Sequence, residues 1–345
     1  KMSKGGKGGK GKGWHGTPSR EGICLAERPD DDLPDDTTGV LYWDARPPTG
    51  RACGETFTGP VYLDGPVICD GEDGLTLDGP YAVLDCQHNT ILGTTDDDAF
   101  GIRLMNGATV RNCKVSGFDI GIQMLEGDNL VENTKVIGSR IGITMKDGNN
   151  YVRHATIPGT TGNDGIQLDG NGCNTIENTS ISDSGDEGID LDNDFTGNLV
   201  LNAVKITGSR GDGIEFKSNS AAPSCDTTSD RYPKIFLIDS EISFNRGDGV
   251  EWNSNVCGNL ELYGTNTFEG NDDGGIEAEH TGTLVFNGET LLLGNTRSGL
   301  ELGDSTDITF AYYSKTAICG NGNDIDDEAD INIESDFDGM IRKGG

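Results

Sequence analysis

The chain has 345 residues, of which 26 are basic and 58 acidic, so its formal net charge is -32, and only 33% of its residues are apolar. A surface this negative argues against nucleic acid as a partner, and no apolar run approaches the length of a membrane span. The nine cysteines are scattered and form no Cys-x-x-Cys pair, which argues against a thiolate zinc site. Such a pattern suits an oxidising compartment, so we expect a secreted protein of the extracellular space or cell wall.

Residues 1–13 differ in composition from the rest of the chain. Glycines surround five basic residues at nearly every third position, namely Lys1, Lys4, Lys7, Lys10 and Lys12. This segment cannot build a core and predicts a flexible basic arm. Three interpretations stay open: the arm binds polyanions, it binds an acidic neighbour in a homo-oligomer or filament, or it is a solvated tail. Residues 14–59 predict a linker and an N-terminal cap, because the end of a stacked sheet must be covered.

Residues 60–320 repeat a phrase of glycine, a branched apolar residue, a polar residue and an apolar residue. The glycines that open the nine clear copies are Gly101, Gly121, Gly142, Gly165, Gly188, Gly213, Gly249, Gly275 and Gly299. The alternation predicts a short strand with one buried face. Two further short strands in each repeat complete a coil, so the sequence predicts an all-β fold, a parallel β-helix of about ten stacked coils.

The repeat also predicts a ladder of turn residues. Stacked side-chain amides satisfy turn backbone, and one turn position of successive coils is expected to hold Asn112, Asn133, His154, Asn178 and Asn202. The long interval between Gly213 and Gly249 predicts an inserted loop near residues 218–232. Residues 321–345 are rich in aspartate and predict an acidic C-terminal cap.

The segment Leu84-Asp85-Cys86-Gln87-His88-Asn89-Thr90-Ile91 and the Gly-Ile-x-Leu phrases resemble repeats of the right-handed β-helix superfamily. That group includes pectate lyases, polygalacturonases, alginate epimerases and lyases, and periplasmic copper-delivery proteins. The resemblance covers about residues 60–320 and implies a right-handed solenoid. It implies no single activity, because the matching residues are core and turn positions. The Lys/Gly leader is similar in composition to segments of diatom cell-wall proteins.

The polar position of the phrase becomes acidic in five consecutive copies. This predicts one exposed column of carboxylates: Asp190, Glu215, Glu251, Glu277 and Glu301. The column is either a solubilising face or a calcium site. The most specific candidate for a calcium site is the set Asp190, Asp192 and Asp194, which are expected to alternate along one strand. Arg210 and Arg246 are candidates for cations placed between the carboxylates.

The polygalacturonase phrases and the Asp-Pro-His phrase of alginate epimerases are missing from the chain. Paired carboxylates suited to glycoside hydrolysis are nevertheless plentiful. The catalytic candidates are Asp186, Glu187, Asp190 and Asp212. Arg210-Gly211-Asp212 also spells a tripeptide known from adhesion ligands, although turn chemistry explains it equally well.

The cysteines give two further expectations. Cys225 and Cys257 flank the predicted inserted loop, so we expect a disulfide that pins it to the next coil. Cys113 occupies the small inward position that Thr134, Ala155, Thr179 and Ala203 take in later coils, which makes it the candidate unpaired thiol.

Two functions fit these observations. The first is a secreted, non-catalytic scaffold of an extracellular matrix, wall or adhesive layer, which binds glycan or mineral and divalent cations. The second is a polysaccharide lyase, hydrolase or epimerase with a site among the acidic coils.

Overall fold

The computed structural model describes residues 53–94, 98–217, 233–253, 257–278, 281–303, 306–310 and 315–327. Within these ranges the chain forms strands and turns and no helix that could span a membrane. The basic arm, most of the predicted N-terminal cap, the inserted loop and residues beyond 327 lie outside the described residues. The predictions made for them stay predictions.

The strands are short and follow one another through tight turns. The first sixteen are β1 (Thr56–Phe57), β2 (Val61–Tyr62), β3 (Val67–Cys69), β4 (Leu75–Asp78), β5 (Val83–Asp85), β6 (Thr90–Gly93), β7 (Phe100–Met105), β8 (Thr109–Arg111), β9 (Lys114–Ser116), β10 (Ile120–Leu125), β11 (Leu130–Glu132), β12 (Lys135–Ile137), β13 (Ile141–Lys146), β14 (Tyr151–Arg153), β15 (Thr156–Pro158) and β16 (Ile166–Asp169). The others are β17 (Cys173–Glu177), β18 (Ser180–Ser182), β19 (Ile189–Leu191), β20 (Asn198–Asn202), β21 (Lys205–Thr207), β22 (Ile214–Phe216), β23 (Lys234–Ile238), β24 (Glu241–Ser243), β25 (Val250–Trp252), β26 (Cys257–Glu269), β27 (Ile276–Ala278), β28 (Thr281–Leu293), β29 (Ser298–Leu302), β30 (Thr306–Phe310), β31 (Lys315–Cys319) and β32 (Asn323–Asp327).

Two parallel sheets wrap one narrow core. The first sheet contains 12 strands in the order β1-β4-β7-β10-β13-β16-β19-β22-β25-β27-β29-β32. The second sheet has two columns, one from β2 through β8 to β23 and one from β3 through β9 to β24, which join in the long strands β26 and β28. Each strand of the first sheet starts a new coil, which confirms the predicted solenoid of about ten coils.

The Gly-Ile phrases set the register of the first sheet. Ile166 pairs with Ile189, which pairs with Ile214, and all three are fully buried. The same pairing runs through the neighbouring phrases, so the branched residues form one continuous apolar column. A single coil could not bury this face, whereas stacking buries it on both sides.

Glycine opens each phrase because the coils approach too closely for a side chain. A Cβ atom on Gly188 would lie 2.5 Å from the carbonyl oxygen of Gly213 and 2.3 Å from Cγ2 of Ile206. A Cβ atom on Gly165 would meet Gly188 in the same way, at 2.6 Å. The glycine column therefore follows from backbone packing between coils.

The asparagine ladder is confirmed in part. Asn112, Asn133, His154 and Asn178 hold left-handed turns with φ of 56°, 47°, 52° and 48°, and Asn133 Nδ2 donates to Asn112 Oδ1 over 2.6 Å. The placement of Asn202 was wrong by one residue. Asn202 pairs with Glu177, and Ala203 takes the left-handed position. Val204, not Ala203, is accordingly the neighbour of Thr179.

The structure corrects the cysteine assignment. Cys113 is not free but forms a disulfide with Cys86, and Cys53 is bonded to Cys69. Among the described residues the free cysteine is Cys319. Cys225 lies outside the described residues and only the backbone of Cys257 is described, so their disulfide stays a prediction.

Candidate active site

The predicted acidic column is present on the first sheet. Asp190 pairs in register with Glu215, and the same position continues through Glu251, Glu277 and Glu301. These five residues are called the strand column. The expectation that the whole column is exposed was wrong, because Asp190 is only 1% exposed and the glutamates are partly covered.

A second set of carboxyl groups lies beside the strand column. Its members precede the phrase glycines in successive coils and form the turn column: Asp164, Glu187, Asp212 and Asp248. All four are buried. In the last three of these coils the sequence signal is an acid-Gly-branched-acid pattern, as in Glu187-Gly188-Ile189-Asp190. Asp164 was not predicted, because the polar position of its own phrase holds Gln167 and the predicted acidic column begins at Asp190.

Backbone amides hold part of the turn column in place. Asp212 Oδ1 accepts a hydrogen bond from the N–H of Asp248 over 2.5 Å, and Asp248 Oδ1 accepts one from Gly274 over 2.6 Å. Each side chain thus reaches the next coil. Since Asp212 is buried within the stack, the Arg210-Gly211-Asp212 tripeptide does not present its carboxylate to a receptor.

Burial raises the pKa of all four carboxyl groups of the turn column. Burial and then the contact with the Asp164 carboxyl group raise the pKa of Glu187 to about 8. Burial raises the pKa of Asp164 to about 6, although the contact with Glu187 opposes this shift. Burial and then contact with Glu251 raise the pKa of Asp212 to about 8. Burial and the nearby charge of Asp212 raise the pKa of Asp248 to about 7.

Lys217 is the cation at the centre of this cluster. Its Nζ lies 2.8 Å from Asp190 Oδ2 and 3.4 Å from Glu215 Oε2. Burial disfavours the charged amine, but its hydrogen bond to Asp190 and the charges of Asp190 and Glu215 together outweigh burial, so the pKa of Lys217 is raised. Burial likewise raises the pKa of Asp190 and of Glu215, while Lys217 opposes both shifts.

Arg297 supplies the second cation, further along the strand column. Its Nη2 lies 2.9 Å from Glu301 Oε1, and its Nη1 lies 3.8 Å from Glu277 Oε2. The prediction that Arg210 and Arg246 occupy the column was wrong, since within the described residues Lys217 and Arg297 do so. Arg210 and Arg246 are exposed in the turns.

Only some of the predicted calcium ligands lie close to one another. Asp192 and Asp194 do not lie on one strand with Asp190, because β19 ends at Leu191 and the chain then turns. Asp194 is exposed, and so is Asp186. Two groups of carboxylates are nevertheless close enough to hold one ion, Asp164 with Asp186 and Glu187, and Glu187 with Asp212 and Glu215. One oxygen from each member of a group lies within 4.8 Å of the others.

Comparisons with known proteins support the fold. A model of the right-handed β-helix region family matches residues 98–231. No curated protein sequence matches the chain. Among solved structures, the mannuronan C-5 epimerase AlgE6 A-module of Azotobacter vinelandii is 13% identical with a TM-score of 0.45, over 84% of this chain and 90% of that one.

Two other solved structures align over similar lengths. The periplasmic alginate epimerase AlgG is 10% identical with a TM-score of 0.43, over 81% of this chain and 77% of that one. The catalytic unit of a GH87 alpha-1,3-glucanase from Streptomyces thermodiastaticus is 16% identical with a TM-score of 0.40, over 77% of this chain and 63% of that one. These likenesses concern the fold alone. The stacked parallel coils and the matching family model identify the chain as a protein with the right-handed β-helix fold.

Proposed function

We propose that the chain is a secreted enzyme that cleaves a polysaccharide by acid–base catalysis, with Glu187 and Glu215 as its catalytic residues. The observation that carries the proposal is a carboxyl group that is protonated at neutral pH beside a carboxylate paired with a lysine. Two carboxyl groups held in different environments are the requirement for glycoside cleavage. The disulfides suit the oxidising compartment that secretion implies.

Glu187 has the properties of the general acid. Its pKa of about 8 leaves a proton available at neutral pH, and the proton passes to the glycosidic oxygen as the bond to the leaving sugar breaks. Asp164 is a positioning residue, because its contact with Glu187 favours the protonated form of that side chain.

Glu215 has the properties of the partner carboxylate. Lys217 lies 3.4 Å from it and Asn253 Nδ2 donates to its other oxygen over 3.1 Å, and both contacts favour the ionised form. An oxygen of Glu215 and one of Glu187 lie within 4.8 Å. Catalytic carboxyl groups are about 5–5.5 Å apart in retaining enzymes and further apart in inverting ones, so we expect retention of configuration. Glu215 then bonds to the sugar carbon as the leaving sugar departs with the proton of Glu187. Water hydrolyses this ester in a second step, in which Glu187 takes up a proton from the water. The negative surface favours a neutral glycan at this site.

The test is the release of reducing ends, without unsaturated ends, from a panel of neutral and anionic polysaccharides, with and without calcium. Glu187→Gln should lower the rate at least about 100-fold, because it removes the proton donor at nearly constant shape. Asp169→Asn is the matched control. It alters an acid on the same sheet that pairs with Lys146 at 3.1 Å, and it should leave the rate unchanged. Cleavage of no polysaccharide, or equal rates in both variants, would overturn the proposal.

The second candidate function is a non-catalytic extracellular scaffold that depends on calcium. The two groups of carboxylates that share Glu187 favour it, since calcium takes oxygen ligands in flexible geometry. A bound cation would displace the protons of these acids, so binding should strengthen as pH rises from about 6 to 8.

Thermal melts in calcium, magnesium and chelator at matched ionic strength test this candidate. A calcium-specific rise in Tm that is lost in Glu187→Gln and kept in Glu301→Gln would support it. Glu301 is the matched control because Arg297 already neutralises it. Equal midpoints in the three solutions would exclude a calcium-dependent fold.

A further inference from the structure

We propose that one corner of the solenoid binds the carboxylate or sulfate groups of an anionic polysaccharide. The corner consists of His88, Lys114, Lys135 and His154, which line one open pocket and are called the basic corner. It lies where the second sheet turns from its first column to its second, as between β8 and β9. The strand column lies on the first sheet and the turn column lies in the turns that precede its strands. The basic corner is therefore separate from the proposed active site and does not rest on it.

The basic corner presents its cations in a regular array. Lys114 and Lys135 pair directly between β9 and β12, which places them one coil apart, about 4.8 Å along the axis. His88 and His154 occupy left-handed turns with φ of 64° and 52° in the coils before and after them. All four side chains are exposed, so four consecutive coils offer a nitrogen donor at the same corner.

Nearby acids do not neutralise this array. Asp85 and Glu132 precede the corner, but they pair with Arg111 at 3.0 Å and Arg153 at 2.7 Å. Within the described part of the chain, neither lysine of the basic corner forms an ion pair. Lys205, further along the same column, does form one, with Glu241 at 2.8 Å. In a molecule with 58 acidic and 26 basic residues, two directly stacked lysines without an acidic partner form a local positive patch.

An anionic ligand is the partner that this positive patch fits. Stacked like charges repel each other in the free protein, and an anion placed between them converts the repulsion into attraction. A linear polymer with a charge on successive sugars can follow the column along the axis and meet each cation in turn. The Cys86–Cys113 disulfide joins the first two coils of the corner, so the array is largely formed before binding.

Binding of polygalacturonate, dextran sulfate and neutral dextran to the full chain at low and high salt tests the proposal. The first two probes separate carboxylate from sulfate recognition. The variant with both Lys114→Gln and Lys135→Gln should bind its anionic probe about ten-fold more weakly and with a smaller salt dependence. Lys205→Gln is the matched control from the same column and should bind as the parent does. Neutral dextran should not bind the corner.

A local readout separates the corner from the lysines of residues 1–13. The anionic probe should protect Lys114 and Lys135, and not Lys205, from acetylation measured by mass spectrometry. Unchanged affinity of the double variant, or protection confined to residues 1–13, would overturn the proposal. So would loss of self-association in sedimentation with no change in glycan binding, because the partner would then be a second copy of this chain.

Discussion

At the scale of single residues, Asp212 links the stability of the fold to pH. Its carboxyl group is buried and has a pKa of about 8, whereas an aspartate in an unfolded chain has a pKa near 3.9. Between these values the unfolded state releases a proton that the folded state keeps. The contribution of Asp212 to stability is therefore fully present below about pH 4 and is lost as pH rises toward 8.

Asp212→Asn should stabilise the fold at pH 8 by about 2 kcal/mol, because the amide avoids the cost of a buried charge. Its oxygen can still accept the hydrogen bond from Asp248. The gain should shrink toward pH 4, where the parent carboxyl is protonated in both states. Urea unfolding at pH 4, 6 and 8 measures it, with Asp169→Asn as the control. A gain that is the same at every pH would contradict the assignment of a raised pKa to Asp212.

Single residues also show what the sequence leaves undetermined. The alternation of Asp190 between Ile189 and Leu191 predicts correctly that its side chain points away from the core. It cannot predict that Lys217, one coil later, lies over Asp190 at 2.8 Å. Cys113 was misassigned for a similar reason, since its partner Cys86 comes from the preceding coil and no local pattern identifies it.

At the scale of elements, the glycine column is the tightest requirement of the solenoid. Gly188→Ala places a methyl group 2.5 Å from the carbonyl oxygen of Gly213, so the coils must separate. We expect a loss of about 2–4 kcal/mol in the free energy of unfolding, measured by urea denaturation. Gly138→Ala is the control. Its Cβ would meet no atom within 4 Å, so only its φ of 66° costs stability, about 1 kcal/mol. Equal losses in the two variants would show that packing between coils does not set the glycine position.

A second ladder lies inside the turns and was not predicted. Asn245 Nδ2 donates to Asn271 over 3.0 Å, Asn271 to Asn295 over 3.0 Å, and Asn295 to Asn321 over 2.9 Å. These residues follow the strands of the second sheet at intervals of 24–26 residues. The signal was present in the sequence. It was hidden because the same position holds Ser184 and Ser209 in earlier coils, so residue identity changes along one structural column.

The elements were therefore predictable where one residue type repeats. The Gly-Ile phrases predict the strands of the first sheet and their pairing. The predicted register was wrong at Asn202. Asn202 and Ala203 are neighbours in one turn, and either could take the ladder position. Only the pairing of β17 with β20 shows that Ala203 takes it.

At the scale of the whole molecule, charge is divided between two surfaces. The strand column and the turn column occupy the first sheet and the turns before its strands, in the coils from Asp164 to Glu301, whereas the basic corner occupies the earlier coils from His88 to His154. The formal charge of -32 counts every acid as ionised. Protonation of Glu187 and Asp212 makes the folded molecule less negative than this at neutral pH. Composition alone cannot show this, because the pKa shifts arise from burial in the stacked coils.

The central claim is that the turn column, beside the first sheet, holds carboxyl groups that keep their protons at neutral pH. The most direct measurement is a carbon-13 NMR titration of the side-chain carboxyl carbons of aspartate and glutamate, in the parent and in Glu187→Gln. We predict carboxyl signals that titrate near pH 8, from Glu187 and from Asp212, and loss of the Glu187 signal in the variant. Titration of every carboxyl group below about pH 5, as in ordinary exposed acids, would contradict the account.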